Sequence, residues 1–278
     1  MAELKNTTIT DSGYFRLPSG TTTQRPENPV AGMIRYNTDS NLKEYFDGNK
    51  WIFDGYNIIT PENWITGSGS INEFNQNGST VENERIVGEG PFGSTILWEC
   101  RPEAASGADG GWNTNLFPID PTFKYRFSVW AKRPVAGNGH LYLGTRGYDS
   151  SVTNIGVLNR SDGAVNTNPY FEVNSHWSAW SENDINTWYL VVGHVWPVGS
   201  STGTEDPDSG VYKTNGTKLT TSDKIDFVWQ ENNTQAVHRC YLYYSTDTST
   251  RQQLVYPRVS KLSGSYPTIN DLLSGYNG

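Results

Sequence analysis

Cysteine is scarce. Cys100 and Cys240 are the only two in 278 residues, which excludes a disulfide framework by count and leaves two buried thiols in strand-like settings as the plain reading. Long apolar runs are missing as well. The start, Met1 to Thr8, lacks the apolar core of a signal peptide, and no later segment approaches the roughly 20 apolar residues that a membrane-spanning helix needs. The expectation is a protein made in a cytoplasm, with no membrane insertion. Positive charge is short: 21 Lys and Arg stand against 29 Asp and Glu, for a net charge of -8. No basic stripe with interleaved aromatics marks a phosphate track, so nucleic acid is not an expected partner. No stretch holds an amphipathic helical period for three turns, and helix content should be very low. The best helical candidate is Thr268 to Leu273, with Thr268 or Asn270 as its cap.

Motifs that carry chemistry are equally sparse. There is no Gly-x-Ser-x-Gly elbow, P-loop or dinucleotide fingerprint, and the Gly-rich run Ala105 to Gly111 lacks the strand-then-helix context that phosphate binding needs. His140, His176, His194 and His238 stand in no His-Glu-x-x-His or Cys-x-x-Cys context, so each reads as a satisfied strand histidine. Glycoside hydrolysis needs two carboxylates about 5 to 10 Å apart. Glu172, Glu182, Asp184 and Glu231 are available, yet nothing in the sequence selects a pair. The chain therefore reads as a protein with no catalytic residues and no cofactor. Calcium at Asp206 and Asp208 is the one metal candidate. Those carboxylates are two apart, as in calcium loops, but the full ligand series and distal bidentate Glu of an EF-hand are missing, and a solvated loop is the competing reading.

What is abundant is aromatic and turn-forming. Aromatics reach 13%, with 10 Trp and 16 Tyr, too many for a disordered chain. With 28 Gly and 14 Pro, turns are frequent, and each break restarts a short run of β-branched or aromatic residues. The texture is all-β. Residues 1–30 are polar, with Pro18, Gly20, Pro26 and Pro29, and read as an extended attachment arm. Residues 31–57 read as a small three-stranded β-meander: Met33 to Asn37, Leu42 to Phe46 and Lys50 to Phe53, joined by Asp39-Ser40-Asn41 and Asp47-Gly48-Asn49. A sheet that small is marginal alone, and its aromatics Tyr36, Tyr45, Trp51 and Phe53 need a cover, which implies oligomerisation or docking.

Residues 60–265 read as a β-sandwich of jelly-roll type, with strands at Ser94 to Cys100, Phe123 to Lys132, Gly139 to Gly144, Thr187 to Trp196, Lys224 to Gln230, Val237 to Ser245 and Gln253 to Leu262. Residues 266–278 form a tail, and Val198 to Gly216 reads as a loop insertion at the sandwich end. In Tyr125 to Lys132 the apolar side chains alternate with Arg126, Ser128 and Lys132, but Trp130 falls on the polar side. It is either covered by a loop or part of a binding face. The cluster Asn174-Ser175-His176-Trp177-Ser178-Ala179-Trp180-Ser181 offers a candidate glycan site at Trp177, Trp180, Asn174 and His176, with Trp130 as a further candidate, because flat aromatics beside hydrogen-bonding side chains suit sugar rings. Packing at the sandwich end or at a subunit contact is the competing account of Trp177 and Trp180.

Two stretches resemble known families. Leu17-Pro18-Ser19-Gly20-Thr21-Thr22-Thr23-Gln24-Arg25-Pro26, then Pro29 to Thr38 and the closing Phe46-Asp47-Gly48-Asn49-Lys50-Trp51, is similar to a module of virion structural and tail-fibre proteins of tailed bacteriophages. Trp112 to Pro121, the strand Tyr125 to Lys132 and the last strand Leu254 to Leu262 together resemble the jelly roll of carbohydrate-binding modules. In those modules the final strand commonly carries an Asp that helps hold calcium, whereas Arg258 and Ser260 stand here. The first resemblance implies a structural subunit of a virion appendage (fibre, tail or neck), docked on other virion proteins through Tyr36, Tyr45, Trp51 and Phe53, and a homotrimer by closed symmetry. The second implies host attachment through surface glycan, made firm by many copies. A polysaccharide-degrading enzyme is the third reading, without a carboxylate pair to carry it.

Overall fold

The computed structural model describes residues 16–39, 42–46, 48, 51–53, 57–105, 107–174, 185–219, 225–263 and 266–275. The chain forms two compact units, Met1–Asp54 and Gly55–Gly278.

In the first unit the three strands of the meander are joined by a fourth, from the arm. Ser19–Gly20 joins Ile34–Asn37, Leu42–Phe46 and Trp51–Phe53, pairing in parallel with Tyr36 and Asn37. The arm is thus partly a strand of the sheet. Its polar residues explain the docking. Glu44 is 0% exposed. It accepts from Arg25 Nη2 at 2.6 Å and Asn37 Nδ2 at 3.2 Å, with Arg35 Nε 3.5 Å away. Arg35 also donates to Thr21 O at 3.1 Å, and Asn37 to Thr22 Oγ1 at 3.0 Å. Trp51 packs on Phe46, with centroids 5.6 Å apart, and both guanidiniums lie about 6 Å from its ring. The covered face is therefore charged and hydrogen-bonded, while Ile34, Tyr36 and Tyr45 look outward.

Tyr36, Tyr45 and Trp51 do not share one face of this sheet. Tyr36 and Tyr45, at 36% and 38% exposed, share a side through the register Tyr36↔Lys43 and Ile34↔Tyr45. Trp51 is opposite Phe46 and so takes the other side, since successive side chains alternate across a strand. The Phe53 side chain lies outside the described residues.

The second unit is a sandwich of two sheets. Among the described residues, one sheet has six strands in the order Tyr170–Asn174, His140–Tyr148, Gln235–Tyr243, Ala108–Thr114 and Phe74–Gln76, with Phe117–Pro118 also on Gln235–Tyr243. The other has ten, centred on Tyr189–Trp196, Tyr125–Val135, Arg251–Lys261, Gly93–Cys100 and Asn83–Gly90. The all-β sandwich expected from the turn spacing is the fold found. Between the sheets, Trp64, Phe74, Trp98 and Trp112 meet at centroid distances of 5.1 to 5.7 Å. Two of the three indole N–H groups in this layer are met, while Trp64 Nε1 is buried without a hydrogen-bond partner. Trp98 Nε1 donates to Asn83 Oδ1 at 3.0 Å and Trp112 Nε1 to His238 Nδ1 at 3.2 Å. The His238 Nε2 then faces Ser128 O in the opposite sheet at 3.1 Å. An indole only donates and a carbonyl only accepts, so His238 is neutral with its proton on Nε2.

The outer face of the ten-stranded sheet is sealed. Trp130, 2% exposed, stands edge-on to Phe92 at 5.2 Å, which removes it from any binding face. Arg126 bonds Pro267 O in the C-terminal segment. That segment carries the helix Ile269–Leu273, capped by Thr268 Oγ1 on Asp271 N at 3.2 Å, with Ile269 and Leu272 buried. The stretch read as a loop insertion, Val198 to Gly216, is also structured: Gly210–Lys213 pairs with Tyr189–Val192, and Asp206, Ser209 and Val211 are buried. Small polar residues disguised it, because Ser209 and Asp206 are satisfied by Asp226 rather than by water.

Two outcomes test these interactions. Replacing Glu44 with Ala leaves Arg25 and Arg35 without their counter-charge and should cost about 3 kcal/mol, read as faster hydrogen exchange across residues 31–46 with protection in the sandwich unchanged. Burial lowers the His238 pKa from 6.5 to about 4. A depressed folded value favours the neutral ring, so this stabilisation is complete above pH 6.5 and declines by up to about 1.4 kcal/mol per pH unit as pH falls toward 4. Buried Asp109, raised to about 7 mainly by burial, works in the opposite sense over that window. Denaturation profiles of the wild type and His238→Gln should therefore converge by that slope between pH 6.5 and 4; parallel profiles would refute the neutral buried ring.

Candidate functional site

Trp177, Trp180 and His176 lie outside the described residues, and so does the side chain of Asn174, whose backbone closes the strand Tyr170–Asn174. Of the proposed glycan residues only Trp130 can be placed, and it is buried. The open surface is elsewhere, on the outer face of the six-stranded sheet.

Strand alternation and register build that face. In Gln235–Tyr243, Ala236, His238, Cys240 and Leu242 turn into the core, which leaves Arg239, Tyr241 and Tyr243 outward. In His140–Tyr148, Leu141 and Leu143 turn inward, leaving His140, Tyr142 and Arg146 outward. The register sets Tyr142 opposite Tyr241 and His140 opposite Tyr243. Tyr170 comes in beside Gly144. A Cβ on Gly144 would lie 2.6 Å from Tyr170 Cδ1 and 2.4 Å from Pro169 O, so glycine is what allows the Tyr170 ring to lie close over the sheet.

The rings form a continuous cluster. Tyr142 meets Tyr170 at 4.7 Å and Tyr243 at 5.8 Å; Tyr241 lies 5.9 Å from Tyr243, and Tyr243 5.0 Å from the exposed Tyr244. His140 stacks on Tyr142 at 6.0 Å. Arg239 places its guanidinium 4.3 Å from the Tyr170 ring and 5.4 Å from that of Tyr241. Asparagines edge the platform: Arg239 and Arg146 both donate to Asn168 Oδ1, at 2.9 and 3.2 Å, Tyr241 OH donates to Asn113, and Asn75 donates to Asn115 at 2.9 Å. Burial raises the pKa of Tyr142 and Tyr243 and pushes Tyr241 up to about 12. The phenols are thus neutral donors at any physiological pH.

The residues weighed for other chemistry are placed differently. The Asp206 carboxylate is engaged by Lys124 and by the backbone N–H of Asp208, and Asp208 itself is exposed. Among the described residues no three His, Cys, Asp or Glu side chains are grouped as a metal ion requires. Glu172 is buried, Glu231 is exposed on a turn, and Glu182 and Asp184 lie outside the described residues. His194, Ser209 and Asp226 are close: Nδ1 to Oγ is 2.7 Å, and Oγ donates to Asp226 at 2.6 Å. The order is wrong for a nucleophile relay, since the carboxylate holds the serine rather than the imidazole. All three are buried, and burial takes the His194 pKa down to about 3. Cys100 and Cys240 are buried free thiols.

No protein-family model matches the chain, and no curated protein does. Among solved structures it is similar to the C-terminal family 22 carbohydrate-binding module of Clostridium thermocellum Xyn10B, at 12% identity over 70% of this chain and 90% of that one, with a TM-score of 0.33. A xylan-binding domain of the same module family gives 12% identity, 77% and 99% coverage and a TM-score of 0.32. The family 11 module of the Clostridium thermocellum cellulase Lic26A-Cel5E gives 10%, 74% and 99%, and 0.30. None of the three is a virion protein, and at this similarity the functional reading rests on the residues of the tyrosine face.

Proposed function

We propose that the protein is a non-catalytic glycan-binding protein whose sandwich receives sugar on the outer face of the six-stranded sheet. The observation that carries this reading is the platform of Tyr142, Tyr170, Tyr241, Tyr243 and Tyr244, bordered by Asn75, Asn113, Asn168, Arg146 and Arg239. Sugar rings present apolar C–H faces and equatorial hydroxyls. Half-buried Tyr142, Tyr170 and Tyr243 and exposed Tyr244 stack on the former, with buried Tyr241 packed beside them, and amides, phenols and guanidiniums bond the latter. Among the described residues the outer side of the strand Tyr125–Val135 in the opposite sheet is covered by Phe92 and the C-terminal segment. Binding here makes and breaks no bond.

In this reading the first unit is the attachment module. Its outward residues Val30, Met33, Ile34, Tyr36 and Tyr45 are exposed, as a docking face requires, and the resemblance of Leu17 to Trp51 to phage fibre modules supports a place on a virion appendage. Several copies, as in a trimer, would turn weak single-site binding into firm adhesion. The test is a glycan array probed with the full chain and with Tyr142→Ala. Tyr142 is at the centre of the platform and outside the core, so the variant should fold and lose roughly tenfold in affinity. Unchanged binding in Tyr142→Ala, or no glycan bound at all, would refute the assignment.

A further inference from the structure

The tyrosine face holds two positive charges that nothing in the described structure neutralises. Arg239 is 0% exposed and lies against Tyr170 and Tyr241. Arg146, half-buried on the neighbouring strand, reaches the same point. Their only hydrogen-bond acceptor in common is Asn168 Oδ1. The Nε of Arg146, and the Nε and Nη1 of Arg239, are buried with no hydrogen-bond partner, and neither guanidinium has a carboxylate partner among the described residues. Arg25 and Arg35 in the first unit are built around a glutamate. Buried Arg126, which also has no carboxylate partner among the described residues, is held by Pro267 O under the C-terminal segment. Arg146 and Arg239 differ in meeting at an exposed side chain.

Two guanidiniums sharing one neutral oxygen is an unfavourable arrangement, since a desolvated charge needs an opposite charge or a full set of acceptors. The oxygen they share belongs to an exposed side chain. Asn168 sits between the strands Val165–Asn166 and Tyr170–Asn174, and its own backbone N–H is held by Asn166 Oδ1 at 3.0 Å. Its amide can therefore rotate away while the loop stays in place. An oxyanion entering at that position would accept from both arginines with charge-assisted bonds, which are about twice as strong as neutral ones. It would do so beside Tyr170, where a sugar ring carrying it can stack.

We propose that the glycan bound on this face is acidic, its oxyanion, a uronate carboxylate or a sulfate ester, seated at Arg146 and Arg239 in place of Asn168 Oδ1. The proposal rests on the reading of the tyrosine face as the glycan site. With a net charge of -8, long-range attraction cannot draw a polyanion to the protein. Selection has to come from this local pair.

The experiment is an array of uronate-containing, sulfated and neutral oligosaccharides, probed with the wild type, Tyr142→Ala and Arg146→Gln, followed by calorimetry on the best acidic ligand and its methyl-esterified or desulfated form. The acidic form should bind roughly tenfold more tightly than its neutralised form, and Arg146→Gln should abolish that difference while keeping the wild-type circular dichroism. The class that shows the difference identifies the oxyanion. Equal binding of acidic and neutral forms, sensitive to Tyr142→Ala but not to Arg146→Gln, overturns the acidic ligand and leaves the glycan site standing. No binding to any arm of the array overturns both.

Discussion

The sandwich depends on one buried polar seam. Closing two sheets over a layer of tryptophans brings indole N–H groups into a space without water, where each must find an acceptor or forfeit its hydration. His238 solves this for Trp112 and at the same time ties the sheets together, because its other nitrogen is committed to Ser128 O across the core. Asn83 does the same for Trp98, and also accepts from Gly111 N at 2.8 Å. These bonds fix the register of the aromatic layer, which apolar packing alone would leave less sharply defined.

The same economy of buried polar groups decides which face can function. At the edge of the ten-stranded sheet, Asp226 gathers His194 N, Ser209 Oγ, Asp206 N and Trp196 Nε1, and Arg126 anchors the C-terminal segment. With these partners the outer side of that sheet is closed, and polar residues on it are structural. Among the described residues the outward tyrosines of the six-stranded sheet have no such cover. They form one cluster with the outward arginines, in which the Nε of Arg146 and the Nε and Nη1 of Arg239 are buried without a hydrogen-bond partner.

In the first unit the arrangement is reversed from a common small sheet: charge is inside and several apolar side chains are outside. Glu44 can be buried because Arg25, Arg35 and Asn37 all converge on it. This is a specific arrangement that holds the arm in register, and it leaves Ile34, Tyr36 and Tyr45 exposed on the opposite face.

The sequence by itself determined the class of fold and most of its strands. Gly, Pro and Asn breaks with period-2 runs between them force short strands, and the aromatic content forces a packed core. The Thr268 cap was legible for the same local reason, a hydroxyl that satisfies the Asp271 N–H. The tyrosine face was not. Tyr142, Tyr170 and Tyr241 are far apart in the chain, and only strand register places Tyr142 opposite Tyr241 and Tyr170 beside Gly144. Each strand on its own showed an alternation that fits either face of either sheet. Trp130 misled for the matching reason: its outward position is set locally, but its burial depends on Phe92, which comes from the turn between Asn83–Gly90 and Gly93–Cys100. Local periodicity fixes which residues share a side, whereas which side stays open is decided by long-range packing, and that exists only in the folded chain.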